Sequence, residues 1–135
     1  MSDEGSEIDR ELVGVFESRK GAAKRLAALG PAAFDRVFHL YHSTELPERL
    51  RVLIGELQRE SVDLWAHASS TVARANPGRY LDWLARRAPS TLDLVILGRV
   101  DDPRAVGVLR AALEHPDWLH RHHAERSLAR QGEQP

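Results

Sequence analysis

The sequence predicts an all-α protein. Ala, Leu, Arg and Glu make up 63 of the 135 residues, and all four have high helix propensity. Apolar residues recur three and four positions apart through most of the chain, which is the spacing of one face of an α-helix. Gly, Pro and Asn interrupt that spacing at short intervals, so several short helices separated by turns are expected.

The first half of the chain is predicted to form five helices, over residues 6–19, 22–29, 31–41, 46–57 and 61–74. Ser6, followed three residues later by Asp9, resembles a capping box at the start of the first helix. Ser61 is the expected N-cap of the fifth helix, because its hydroxyl can accept a hydrogen bond from a backbone N–H of the first turn. The Asn-Pro-Gly sequence at 76–78 is expected to end that helix.

The second half is predicted to form four more helices, over residues 79–87, 92–99, 103–114 and 117–131. Ser90 with Asp93, and Asp102 directly before Pro103, are typical signals for the start of a helix. Residues 94–97, Leu-Val-Ile-Leu, have the composition of a buried strand. No other segment resembles a strand that could pair with them, so a helix is predicted there as well.

Short connections make neighbouring helices antiparallel, so the predicted helices pair into hairpins. Counting back from the C-terminus, the pairs are 103–114 with 117–131, 79–87 with 90–99, 46–57 with 61–74, and the N-terminal helix with 31–42. No linker rich in Ser or Gly separates these hairpins. The chain is therefore predicted to be a single domain over residues 1–135.

The C-terminal part of the chain contains a repeat pattern. Leu97-Gly98 is followed by a short loop, then by Asp102-Pro103 and a helix with Ala105-Val106 near its start. A second helix follows Pro116-Asp117 and carries Ala124-Glu125 and Ser127-Leu128. This segment resembles a HEAT-like repeat of the short bacterial kind found in bilin-lyase-like proteins. The resemblance implies a short α-solenoid of about four helical hairpins, in one HEAT-like repeat domain with a concave face.

In HEAT-like proteins the second helix of each hairpin lines the concave face. The resemblance therefore implies a weakly basic strip of candidate partner-binding residues, namely Arg74, Arg99, His122 and Arg126. Guanidinium groups suit carboxylates, which favours an acidic protein partner, although the same residues could form an ordinary solvated face. Trp118 is either a packing residue or an interface anchor. The family pattern also implies that Arg121 donates a hydrogen bond to Asp101 or Asp102.

The histidines provide the alternative interpretation. Second helices of the predicted hairpins carry six of the seven: His39, His42, His67, His120, His122 and His123. Imidazoles from different repeats could converge on a metal ion without any characteristic spacing in sequence. The alternative to a non-catalytic binding module is thus a small HEAT-fold enzyme, or a protein that handles a chromophore or a metal. The diiron hydroxylases with this fold carry His-Glu pairs, which this chain lacks, so no metal site is predicted.

Composition and motifs exclude several other function classes. The absence of cysteine excludes disulfides and thiol nucleophiles, and the formal net charge of −1 gives no general attraction to nucleic acid. The sequence has neither a glycine-rich phosphate loop nor a Gly-x-Ser-x-Gly motif. We therefore predict no catalytic residue and no cofactor. A protein is the expected partner, whereas nucleic acid is not.

Targeting signals are also absent from the sequence. The N-terminal segment is acidic and has no apolar core, and no run approaches the roughly 20 apolar residues that cross a membrane. A cytoplasmic protein without a membrane contact is expected. The excess of arginine over lysine, 17 to 2, favours a bacterial origin.

Overall fold

The computed structural model describes the backbone of residues 3–132 and the side chains of residues 7–132. The described residues form nine α-helices and contain no strand, which confirms the predicted all-α class. In chain order the helices are α1 (Asp3–Phe16), α2 (Ala22–Ala28), α3 (Pro31–Tyr41), α4 (Glu48–Leu57), α5 (Glu60–Ala75), α6 (Pro77–Leu84), α7 (Thr91–Leu97), α8 (Pro103–Ala112) and α9 (Trp118–Arg130).

The nine helices belong to two compact units. The first unit ends at Asn76 and contains α1 to α5, and the second begins at Pro77 and contains α6 to α9. The prediction of one domain over residues 1–135 stays a prediction. Among the described helices, none is long and apolar enough to cross a membrane.

The core of the first unit lies around α1 and α5. The predicted apolar stripe of α1 is buried, and it consists of Ile8, Leu12, Val15 and Phe16. Helix α5 packs against each of the four preceding helices, and α1 contacts the other four helices of the unit. Phe16 meets the buried ring of Trp65 on α5 edge to face, with the ring centroids 5.0 Å apart. This geometry is favourable for aromatic pairs, so the contact fixes α1 against α5.

Acidic residues of the N-terminal segment pair with arginines from three other helices of the first unit. The pairs are Glu11 with Arg25 of α2, Asp9 with Arg36 of α3, and Glu17 with Arg49 of α4, at nitrogen–oxygen distances of 3.0, 2.9 and 2.8 Å. Asp9 receives two parallel hydrogen bonds from Arg36, the strongest geometry for such a pair. The negative charge of α1 is therefore partly neutralised within the unit.

In the second unit, a buried carboxylate organises the start of α7. Asp93 forms the predicted capping box with Ser90, which confirms this helix start. The Tyr80 hydroxyl on α6 donates a hydrogen bond of 2.7 Å to the second oxygen of the same carboxylate. Burial, together with the negative charge of Asp93, raises the pKa of Tyr80 far above its usual value. The phenol therefore remains protonated and continues to donate this bond.

Helices α7 and α9 are held together by polar side chains of α9. The Ser127 hydroxyl donates a buried hydrogen bond of 2.6 Å to the Leu94 carbonyl. The Gln131 amide donates to the carbonyls of Leu97 and Val100, at 2.7 and 2.8 Å. The carbonyls of Leu97 and Val100 also accept the backbone N–H groups of Val100 and Asp102, so Gln131 adds a second hydrogen bond to each of them. These three bonds fix the position of α9 relative to the C-terminal end of α7.

Several predicted helix starts differ from the structure, including that of α4, which begins two residues later than predicted, at Glu48. Helix α1 begins at Asp3, so Ser6 lies within it and is not its N-cap. Helix α5 begins at Glu60, and the Ser61 hydroxyl donates to the Gln58 carbonyl and does not cap the helix. Helix α6 begins at Pro77, two residues earlier than predicted. Backbone N–H groups in the first turn of a helix have no partner within the helix. The missing N–H of proline therefore costs nothing there, and proline can begin a helix as well as end one.

Asp102 is the predicted N-cap of α8, and the structure confirms it. Its carboxylate accepts hydrogen bonds from the side chain and the backbone N–H of Arg104, and these bonds lower the pKa of Asp102. The Arg104 guanidinium also donates to Asp82 on α6, at 2.9 Å. Arg104 therefore connects the start of α8 to α6.

Replacing Arg104 with methionine should destabilise the second unit near neutral pH and much less at acidic pH. Asp102 contributes stability above its ordinary pKa of about 4, and that contribution is lost as the pH falls through its lower folded-state pKa. The urea midpoints of wild type and variant should therefore differ at about pH 6 and converge as the pH falls below about 4. Arg86→Met is the control, because Arg86 is exposed. A difference that is constant across this pH range would contradict the assignment.

Candidate functional site

The candidate site lies on adjacent exposed surfaces of α7 and α9, in the second unit. We call it the α7–α9 face and define it by seven residues: Val95, Arg99, Trp118, His122, His123, Arg126 and Arg130. His123 is half-buried and the other six are exposed. The first two belong to α7 and its C-terminal end, and the other five to α9.

A cleft of about 200 Å³ lies in this face. It is lined by Val95, His122, His123, Arg126, Ser127 and Arg130. Ser127 is buried and bonded to the Leu94 carbonyl, so this part of the lining is held in place by the contact between the helices. Pockets for small ligands usually measure about 300–1,000 Å³, whereas this cleft has room for about one side chain.

The charge of the α7–α9 face comes from three guanidinium groups. Within residues 7–132, the side chains of Arg99, Arg126 and Arg130 form no ion pair and no side-chain hydrogen bond. Arginine keeps its charge at every physiological pH, and its planar fork is shaped for two parallel bonds to a carboxylate or phosphate. The face thus presents donors that are not used within the described part of the unit.

Trp118 supplies a large apolar surface at one end of the face. Trp118 is the first residue of α9, and it is 65% exposed. The ring lies near that of His122, with the centroids 6.0 Å apart. Leu119 beside it is 39% exposed. An exposed tryptophan with an apolar neighbour is typical of the anchor residues of protein interfaces.

The structure groups most of the predicted partner-binding residues. His122 and Arg126 line the cleft, and Trp118 lies next to His122 on the same helix. Arg99 is exposed two residues beyond the end of α7 and is not among the residues that line the cleft. Arg74 is exposed near the end of α5 and belongs to the first unit.

Sequence reasoning missed three residues of the cleft, Val95, Ser127 and Arg130, and it considered His123 only as a metal ligand. The signal for Arg130 was present, because it follows Arg126 by four residues on one helix and therefore shares its side. Val95 was treated as part of an apolar run whose exposed member could not be identified from composition. In the structure Leu94, Ile96 and Leu97 are buried, whereas Val95 is exposed.

The other predicted histidines lie elsewhere. His39, His42 and His67 are exposed residues of the first unit. In the second unit the rings of His115 and His120 stack at a centroid distance of 3.9 Å, and His115 accepts a hydrogen bond from the Asp117 backbone N–H. Among residues 7–132, no three His, Asp or Glu side chains are arranged to hold a metal ion. The chromophore- or metal-handling alternative stays a prediction.

The expected bond between Arg121 and a loop aspartate is wrong. Arg121 donates to the carbonyls of His115 and Pro116, at 2.7 and 2.9 Å. The carboxylate of Asp102 is occupied by Arg104. Arg121 therefore closes the loop before its own helix.

No protein-family model, curated protein or solved structure matches this chain. The HEAT-like resemblance of the C-terminal part stays a prediction. Any function must therefore be argued from the residues of the α7–α9 face.

Proposed function

We propose that this chain is a cytoplasmic, non-catalytic module that binds another protein through the α7–α9 face, as an adaptor or regulatory subunit. The observation that carries the proposal is the combination, on one face, of a tryptophan that is 65% exposed and three arginines that have no ion pair among residues 7–132. Tryptophan and arginine are the residue types most enriched among the side chains that dominate interface binding energy.

The proposal includes a HEAT-like stack of hairpins as the scaffold of this face. The packing of the second unit supports this scaffold, since α9 contacts α8, its predicted hairpin partner, and also contacts α7. Contacts between neighbouring hairpins are the pattern expected of stacked repeats. In the proposed arrangement α7 and α9 are the second helices of successive hairpins, and the cleft is lined by residues of both helices.

The size of the cleft supports a macromolecular partner over a small-molecule substrate. A volume of about 200 Å³ holds one side chain of a partner, whereas drug-sized ligands require about 300–1,000 Å³. The remaining area for binding lies on the exposed surface around the cleft, including Trp118 and Arg99. A partner protein can cover that surface, which a small ligand cannot do.

Site-specific photocrosslinking in the cells that make the protein tests the proposal. A photoreactive phenylalanine is placed in turn at Trp118 and Arg126 on the α7–α9 face, and at Ala111 on the exposed side of α8. We expect discrete adducts with another protein from the first two positions and none from Ala111. Adding Arg130→Glu to the Trp118 variant should weaken its adduct.

Two results would contradict the proposed function. One is the same set of adducts from Ala111 as from Trp118, which would indicate random encounters. The other is the absence of any adduct from both positions on the face, with the variants folded as judged by circular dichroism. Either result would show that this face is an ordinary solvated surface.

A further inference from the structure

We infer that the segment bound by the α7–α9 face is acidic and carries one large apolar side chain near its acids. The inference rests on the proposed function, because it specifies the partner of the same face. It follows from three properties of the face: its charge, the size of its cleft, and the distance between its tryptophan and its arginines.

The charge of the face is complementary to carboxylates. Arg99, Arg126 and Arg130 offer guanidinium donors that no acid within residues 7–132 occupies. Two acids also belong to α9 or its cap, Asp117 and Glu125. The Asp117 carboxylate caps the helix by accepting a hydrogen bond from the Leu119 backbone N–H. Glu125 precedes Arg126 by one residue, so it is rotated by about 100° around the helix.

The cleft has the dimensions and lining for one acidic side chain. Val95 provides an apolar wall for methylene groups, and it is 36% exposed there. Arg126 and Arg130 flank the cleft with cationic donors, and His122 and His123 complete its lining. A glutamate that enters with its methylenes against Val95 brings its carboxylate within reach of these donors. Such charge-assisted bonds are roughly twice as strong as neutral ones.

The position of Trp118 specifies the second feature of the partner. Trp118 precedes Arg126 by eight residues and Arg130 by twelve on the same helix. At about 1.5 Å per residue, these separations correspond to ~12 Å and ~18 Å along the α9 axis. An extended segment covers ~12 Å with about four residues, and a helical one with about eight. The apolar residue of the partner should therefore lie about four residues from its acids if the segment is extended, and about eight residues from them if it is helical.

A nucleic acid is the competing polyanion, and the face suits it less well. Proteins that bind duplex strongly neutralise about six to ten phosphates, whereas this face offers three arginines. The exposed tryptophan could stack on a base of a single strand. However, a mixed acidic and apolar segment uses the cleft, the arginines and Trp118 together, which a regular phosphate backbone does not.

Selection from a displayed library of random peptides tests the inference. The peptides contain about twelve residues, which reach ~18 Å even when helical. The full chain is the bait, and the Arg126→Glu/Arg130→Glu variant removes non-specific binders. We expect enriched peptides to carry two or more acids and one Leu, Phe or Trp at one of the two separations.

Affinities of synthetic copies of the enriched peptides identify the residues that bind them. Arg126→Glu/Arg130→Glu should weaken binding by at least about tenfold, and Trp118→Ala should also weaken it by at least about tenfold. The matched control is Arg51→Glu/Arg86→Glu, which changes the net charge equally at two exposed arginines outside the face. This control should change the affinity by less than about twofold.

The possible failures of the inference and of the proposed function are distinguishable. Enriched peptides without acids, whose binding still requires Trp118, would overturn the inference and leave a protein-binding face. No enrichment over the charge-reversed variant would overturn the inference as well, whatever the crosslinking shows. Tighter binding to single-stranded or duplex DNA than to the best peptide would identify a nucleic-acid site and overturn both.

Discussion

Replacing Asp93 with alanine is expected to destabilise the second unit by about 2–4 kcal/mol. One oxygen of its buried carboxylate accepts the Tyr80 phenol at 2.7 Å, and the other accepts from the backbone N–H and the hydroxyl of Ser90, at 2.9 and 3.0 Å. Asp93 is the third residue of the capping box, and its removal takes one hydrogen bond from the backbone N–H of Ser90, at a cost of about 0.5–1.5 kcal/mol. The Tyr80 hydroxyl also loses its buried hydrogen bond to a charged group, at a cost of about 1.5–3 kcal/mol.

Urea unfolding followed by circular dichroism measures this effect, with hydrogen exchange in α7 to localise it. Tyr80→Phe should cost less, about 1–2 kcal/mol, because the carboxylate keeps its bonds to Ser90. Asp101→Ala is the control for removal of an acid, since Asp101 is exposed and its replacement should change stability by less than about 0.5 kcal/mol. Equal effects of Asp93→Ala and Asp101→Ala would show that the buried network does not stabilise the unit.

Local interactions of this protein could be predicted from its sequence. The capping box at Ser90 and the cap at Asp102 involve residues two or three positions apart, so the pattern alone identifies them. The same holds for residues 94–97, where the absence of a pairing segment correctly favoured a helix over a strand. The capping box did not reveal that Tyr80 shares the Asp93 carboxylate, because nothing in the spacing distinguishes that tyrosine from a simple core residue.

Interactions between distant segments could not be predicted. Ser127 bonds to Leu94 across 33 residues and Gln131 bonds to Leu97 across 34 residues, and no periodicity indicates either contact. The expected bond of Arg121 failed for a local reason, since the carbonyls before its own helix are closer in sequence than Asp102. A long arginine side chain takes acceptors that the preceding loop already presents.

The candidate site was predictable to the extent that it follows helix periodicity. Trp118, His122 and Arg126 lie on one side of a single helix, and the four-residue spacing groups them. The cleft itself depends on which side of α7 lies next to α9, and that is determined by tertiary packing. Val95 was therefore missed, although its neighbour in the structure, His122, was predicted.

Replacing Gly98 with alanine is expected to cost about 1–3 kcal/mol and to distort the cleft. Gly98 has an ordinary helical backbone, so its role is to permit close approach and does not depend on a special backbone conformation. An added Cβ would lie 2.7 Å from the Ser127 Oγ, 2.9 Å from its Cβ and 3.0 Å from its Cα. The Cα is backbone, so α9 would have to move away from α7.

Gly107→Ala should have the opposite effect. Gly107 lies within α8 and is exposed, and apart from the adjoining helix backbone an added Cβ would meet no described atom within 4 Å, so alanine should stabilise the helix by about 0.5–1 kcal/mol. Helix propensity favours alanine at both positions, whereas packing opposes it only at Gly98. Urea unfolding of both variants therefore distinguishes the two effects. Because Ser127 lines the cleft, Gly98→Ala should also weaken binding of the acidic peptide, while Gly107→Ala leaves it unchanged. If Gly98→Ala were as stable as wild type and bound the peptide equally well, the close contact between α7 and α9 would not shape the binding face.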